Sequence, residues 1–150
     1  TKMRYTFLIA IISLLFLGCK KSKFSTRPQL TYKSVSAKRV IKNQVVNFKF
    51  SFTDAEGDVD LLYWQKIGLN CIDTAFKDKL PIPVDFPQIK NQKGDMTVSF
   101  VNGDNSFNRL PSIVTTCPIA SDTCFFRFVL TDKAKNKSDT VNSDIIVLFN

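Results

Sequence analysis

Four carboxylates fall within seven residues, at Asp54, Glu56, Asp58 and Asp60, interleaved with Ala55, Gly57 and Val59. Alternating acids on one loop could converge on a hard cation, because calcium takes several oxygen ligands and tolerates irregular geometry. The spacing is not that of an EF-hand, which needs glycine at the sixth loop position and glutamate at the twelfth. Counted from Asp54, those places hold Val59 and Gln65. A cation is also not needed to hold the acids together. Carboxylates two residues apart on extended chain lie about 6.5 Å from one another, where repulsion in water is about 0.6 kcal/mol per pair and about 2 kcal/mol for three neighbouring pairs. A basic protein tolerates that cost. The arithmetic therefore favours a solvated turn over a calcium site, with Gly57 at positive φ and Asp54 capping the turn through an Asx bond. A glycosidase pair needs carboxyls about 5 to 9.5 Å apart across a cleft, one of them with a raised pKa, and a solvated turn supplies only the spacing.

The rest of the chemical inventory is sparse. The chain has no histidine, which removes the commonest general base, the commonest zinc ligand and every Ser/His or Cys/His nucleophile pair. No catalytic constellation replaces them, and a non-enzymatic protein is expected. The 150 residues carry 21 Lys and Arg against 13 Asp and Glu. The basic residues form no compact patch, so no nucleic-acid partner is expected. Cysteines stand at positions 19, 71, 117 and 124. Cys117 and Cys124 close an eight-residue loop, and a bridge between them would stabilise by about 2.5 kcal/mol in the chain-entropy model. Cys71 is then expected as a buried free thiol.

The first segment, TKMRYTFLIAIISLLFLGC, orders basic residues, an unbroken apolar run from Phe7 to Leu17, then Gly18 and Cys19. The run is too short for a mature membrane helix and right for a signal-peptide core. Phe16-Leu17-Gly18-Cys19 resembles the lipobox of bacterial lipoproteins. The resemblance implies a signal peptide over 1–18, cleavage before Cys19 and lipidation of that residue. Removing Lys2 and Arg4 leaves 19 positive against 13 negative charges, and several acyl chains on one cysteine make the membrane anchor effectively permanent. Residues 19–28 then read as a lipidated, basic tether. Lys20, Lys21 and Lys23 depart from the acidic residues that follow the cysteine in surface-exported lipoproteins, so an outer-membrane anchor facing the periplasm is the expected location.

The elements that must position these groups are strands. Val46, Phe48, Phe50 and Phe52 alternate with Asn47, Lys49, Ser51 and Thr53, the period of a strand with one buried face, which empties directly into the acidic loop. Leu30, Tyr32 and Val35 mark a short first strand, and Val40-Ile41 leads through a Lys42-Asn43-Gln44 turn. LLYWQKI over 61–67 makes the next strand, with Trp64 a core aromatic whose N–H should meet a backbone carbonyl. Residues 69–93 are irregular, with Pro81, Pro83 and Pro87 denying a central strand; a functional loop and an edge strand with a crossover are equally open. MTVSFV follows with Met96, Val98 and Phe100 on one face, closed by a turn over 102–105. Cys124, Phe126, Phe128 and Leu130 share a face of the last hairpin, which turns over 132–139 and returns at 145–149.

No segment after the signal has helical period, so the expected fold is all-β, an antiparallel sandwich of about seven strands over 29–150. VLTDKAKNKSDTVNSDIIVL, residues 129–148, resembles the final hairpin of bacterial immunoglobulin-like domains, and VNFKFSFTDAEGDVD at 46–60 is similar to an early strand and loop of the same lipoprotein domains. Lys135 stands where that turn usually has glycine, and the 45–53 strand lacks the cysteine of the antibody bridge. The resemblance implies an immunoglobulin-like fold and says little about ligand, since sandwiches host unrelated activities. The expected role is an anchored envelope protein with a non-enzymatic interaction or structural domain, its partner an unidentified envelope protein or extracellular ligand and its cofactors none, calcium excepted. The alternatives are a small β-barrel carrying an apolar ligand among twelve mature-chain phenylalanines, and a calcium-dependent adhesion or carbohydrate-contact module.

Overall fold

The phenylalanine strand predicted by alternation is the centre of the molecule: Val46, Phe48, Phe50 and Phe52 are all buried, and their neighbours alternate outward. The computed structural model describes residues 24–71, 77–103, 109–114 and 118–149. The expected signal segment, Cys19 and Cys117 lie outside them. Nine strands follow in order: β1 (Gln29–Val35), β2 (Arg39–Val40), β3 (Val45–Asp54), β4 (Val59–Gly68), β5 (Lys77–Pro81), β6 (Gln92–Val101), β7 (Ser121–Asp132), β8 (Val141–Asn142) and β9 (Ile146–Phe149).

The strands form two sheets, one ordered β1-β3-β6 and one ordered β2-β9-β7-β4-β5, with β8 also paired to β7. All pairings are antiparallel except β2 with β9. This is an antiparallel β-sandwich with immunoglobulin-like strand order: β1, β3 and β6 take the A, B and E positions, and β4, β7 and β9 take C, F and G. The count among the described residues is nine rather than about seven because β5 adds an edge strand and the returning strand is broken into β8 and β9. Ser138 and Ser143 each accept a hydrogen bond on Oγ from a β7 amide, Leu130 N–H and Phe126 N–H respectively, and donate their own N–H to the same residue's carbonyl. The hydroxyls stand in for ladder carbonyls, and β8 and β9 are separated at the second of these substitutions.

The sheets do not close on one another. One ends in β1 and β6 and the other in β2 and β5, which corrects the barrel alternative. Their inner faces are joined by aromatic rings: Phe48 and Phe126 at 5.0 Å between centroids, Phe50 and Phe128 at 4.7 Å, Trp64 and Phe100 at 4.8 Å. Phe50 on β3 and Phe128 on β7 meet where antibody sandwiches place their inter-sheet disulfide, and Trp64 sits on the strand where those domains keep a buried tryptophan. Each buried ring contributes about 1.5 to 3 kcal/mol relative to an exposed one, so ring packing replaces the missing cross-link as the inter-sheet tie. Trp64 Nε1, expected to meet a carbonyl, has no hydrogen-bond partner. Its ring lies edge-on to Phe100 instead.

Of the two readings of residues 69–93, the edge strand holds: β5 pairs with β4 from Leu61↔Pro81 to Gln65↔Lys77. The cysteine expectation is corrected. Cys124 is a free, buried thiol and Cys71 is disulfide-bonded, so the Cys117–Cys124 bridge does not form. The reason lies in strand parity: Cys124 shares the inward face of β7 with Phe126 and Phe128 and is paired with Gly68 and Ile146. Burial, with Asp122 nearby, pushes its thiol up to about 12. Residues 24–28, expected as a free tether, are docked on the sandwich. Ser25 C=O accepts from Ala55 N–H, Pro28 is buried, and Arg27 pairs with Asp139 at 2.6 Å.

Candidate functional site

The four acids of the β3–β4 loop do not act together. Asp54 ends β3 on its buried face, and its Oδ2 accepts from Gly57 N–H at 2.6 Å and Asp58 N–H at 3.0 Å, the expected Asx cap. Gly57 has φ of +73°, and a Cβ there would meet the Ile89 carbonyl oxygen at 1.9 Å. Burial pushes the Asp54 carboxyl above the ordinary aspartate range, against the opposing pull of the Asp58 and Gly57 amides. Glu56 is exposed, and Asp60 is turned away into an ion pair with Lys135 at 2.8 Å. Lys135 holds the left-handed turn conformation, φ 71°, in the place where the resemblance puts glycine.

A third acid comes from a distant part of the chain. Asp132 ends β7 opposite Val59, and oxygens of Asp54, Asp58 and Asp132 lie within 4.8 Å of one another. Asp132 also organises the β7–β8 turn, accepting from Asn136 N–H at 2.8 Å and Asn136 Nδ2 at 2.7 Å. The Asp58 carbonyl takes the Lys133 N–H, so the two loops are laced together. No local sequence signal finds Asp132, because its place beside Asp58 depends on the β4–β7 register, in which Val59 stands opposite Asp132.

A second group of charges was missed because it lies in the core. Lys66 and Asp122 form an ion pair at 2.9 Å with both side chains fully buried, between β4 and β7. Period-two parity places both on inward faces, with Leu62 and Trp64 on one strand and Cys124 and Phe126 on the other.

Two concavities stand out among the described residues. The outer face of β4, β5, β7 and β8 forms an open groove of about 710 Å³. Register builds it from two cross-strand rows: Lys77, Gln65, Arg127 and Asn142 in one, Lys79, Tyr63 and Val129 in the next, with Thr140 at the margin. Lys77, Lys79, Arg127 and Tyr63 are exposed, and among the described residues Asp78 is the one carboxylate lining the groove. The second concavity is an apolar cleft of about 410 Å³ between the sheet edges β5 and β6, lined among others by Leu80, Ile82, Phe86, Met96, Val98 and Leu110.

No protein-family model matches the chain, and no curated protein matches it. Among solved structures, a Niemann-Pick type C2 protein from the Japanese carpenter ant is 13% identical, with a TM-score of 0.43 over 84% of this chain and 96% of that one. A sporulation control protein from Bacillus subtilis is 7% identical, with a TM-score of 0.43 over 83% of this chain and 50% of that one. An alkylpurine DNA glycosylase from Pseudomonas fluorescens is 7% identical, with a TM-score of 0.45 over 93% of this chain and 33% of that one. At such distances the likenesses carry nothing about function.

Proposed function

We propose that the protein is a lipid-anchored component of a bacterial envelope whose sandwich is a non-enzymatic binding module, and that the groove over β4, β5, β7 and β8 contacts an acidic carbohydrate. The carrying observation is the pair of cross-strand rows. Lys77, Lys79 and Arg127 supply three cations for carboxylate or sulfate groups, Gln65, Asn142 and Thr140 supply partners for hydroxyls, and Tyr63 offers an exposed ring for a sugar face. Lys77 and Lys79 on the edge strand β5 also disfavour pairing with another strand along that edge, which leaves the face open. The anchor is supported by the order of charged, apolar and small residues ending at Cys19. Equal fatty-acid labelling of wild type and Cys19→Ala would refute it.

Heparin, as a sulfated polysaccharide probe, tests the groove by calorimetry at low and at physiological salt. Lys79→Gln with Arg127→Gln should weaken binding at least tenfold, whereas Lys33→Gln with Lys49→Gln, which removes the same charge from exposed positions on the other sheet, should change it less than threefold. Equal losses would show attraction to net charge and refute the assignment. The apolar cleft favours a second reading, a carrier of a lipid-like ligand, because its volume lies in the range of small-molecule sites. Native mass spectrometry separates the two: a carrier retains co-purified lipid, and a carbohydrate-binding module does not.

A further inference from the structure

We infer that Asp54 and Asp58 of the β3–β4 loop and Asp132 at the end of β7 form a calcium site, from which Glu56 and Asp60 are left out. Three carboxylates bring oxygens within 4.8 Å of one another at the junction of two loops. Their proximity alone would be unremarkable for exposed acids, but these are not exposed. Asp54 is fully buried, and its Oδ1 has no hydrogen-bond partner. Asp58 Oδ1 is likewise buried and unpartnered. A third orphaned oxygen, Oε1 of Gln92, belongs to a residue 4% exposed and directly opposite Asp54 in the β3–β6 register, so the two side chains share a face of the sheet. Buried acceptors without donors cost about as much as a lost hydrogen bond each, and buried like charges add to that cost. Lys135 in the β7–β8 turn is paired with Asp60, and no ion pair among the described residues reaches Asp54, Asp58 or Asp132.

The donor chemistry names the cation. All three ligands are carboxylates, Gln92 stands opposite Asp54 on the neighbouring strand, and the chain has no histidine to complete a softer set. Hard oxygen donors suit calcium or magnesium. Ligands gathered from a loop and a strand end, rather than from a preformed octahedral cage, suit calcium, which accepts six to eight oxygens at irregular angles. The turn arithmetic made from spacing alone put the charges in water at about 6.5 Å; in the folded chain they are closer, and one of them is dry.

The test uses the full chain in detergent, melted in chelator, in 10 mM calcium chloride and in 10 mM magnesium chloride. Extracellular modules bind calcium at about 10⁻⁴ to 10⁻³ M, so calcium should raise the melting temperature by several degrees and magnesium should raise it much less. Asp58→Asn is the cleanest variant, because its Oδ1 makes no hydrogen bond that the change would break. In chelator it should melt no lower than wild type, and it should lose the calcium shift. Asp132→Asn should lose the shift as well, although Asp132 stands far from the acidic loop in sequence. Glu56→Gln and Asp60→Asn should keep it. A wild type without a calcium shift, an equal shift with magnesium, or a shift that survives both Asp58→Asn and Asp132→Asn would each overturn the site.

Discussion

The buried pair of Lys66 and Asp122 offers a perturbation whose outcome depends on sign as well as size. At 2.9 Å the attraction between the two charges is about 6 kcal/mol with an effective dielectric constant of 20. Taking each ion out of water costs several kcal/mol, so the intact pair contributes little net stability. Asp122 Oδ1 moreover has no hydrogen-bond partner, which leaves an acceptor unsatisfied at about 1 to 3 kcal/mol. Removing one partner forfeits the attraction and keeps the other's desolvation. Lys66→Met should therefore destabilise by about 3 to 5 kcal/mol, and Asp122→Leu by a similar amount. In urea, with a slope of about 2 kcal/mol per molar, that moves the midpoint down by about 2 M. The double variant Lys66→Met with Asp122→Leu fills similar volume with apolar atoms and should return to within about 1 kcal/mol of wild type or exceed it. Equilibrium unfolding followed by Trp64 fluorescence measures all four proteins. A single Lys66→Met variant costing less than about 1 kcal/mol, or a double variant less stable than either single one, would refute this account.

The Cys124 thiol, pushed up to about 12, should react with a water-soluble disulfide reagent at pH 8 only after denaturant is added; rapid labelling of the native protein would contradict its burial. Because its folded pKa lies above that of an unfolded thiol, about 8.5, its contribution is complete below pH 8.5 and is lost as the pH rises toward 12, by about 1.4 kcal/mol per pH unit. Cys124→Ala should remove that alkaline slope from the stability curve. Gly57→Ala forces a side chain onto a left-handed backbone and against the Ile89 carbonyl, which should cost at least about 2 kcal/mol in urea unfolding, where an ordinary exposed loop glycine would cost less than 1 kcal/mol.

Strands were legible wherever one face is dry and the other wet. The alternation through β3, β6 and β7 located their core residues individually, and the absence of helical period settled the class. What could not be read locally depends on which strands become neighbours. Asp132 joins Asp54 and Asp58 only because β4 and β7 pair with Val59 opposite Asp132, a register no spacing within either segment encodes. Lys66 is different. It shares its parity with Leu62 and Trp64, but a lysine in an apolar strand reads as solvated until its partner is found, and Asp122 lies far along the chain on another strand. The cysteine pairing failed for a similar cause: a short loop favours closure by chain entropy, yet closure requires Cys124 to leave the inward face it shares with Phe126 and Phe128.

The docked segment 24–28 fixes which end of the sandwich would face the membrane in the anchored protein proposed above. Ser25 is bonded to Ala55 in the acidic loop, and Arg27 to Asp139 beyond the β7–β8 turn, so the chain leaves the domain at the end that carries Asp54, Asp58 and Asp132. Ser25 lies six positions after Cys19, a reach of at most about 21 Å for fully extended chain. In the anchored protein this would keep Ser25 within roughly two or three Debye lengths of the lipid surface at physiological ionic strength. A bare acidic end would be repelled by anionic headgroups, and Lys20, Lys21 and Lys23 lie in the intervening stretch to offset it. Calcium in the cluster would reduce the repulsion further and would stiffen the junction of the two loops that grip the tether. The groove over β4, β5, β7 and β8 lies on the outer face of its sheet, so the proposed ligand contact and the proposed anchor would place their demands on different parts of the same fold.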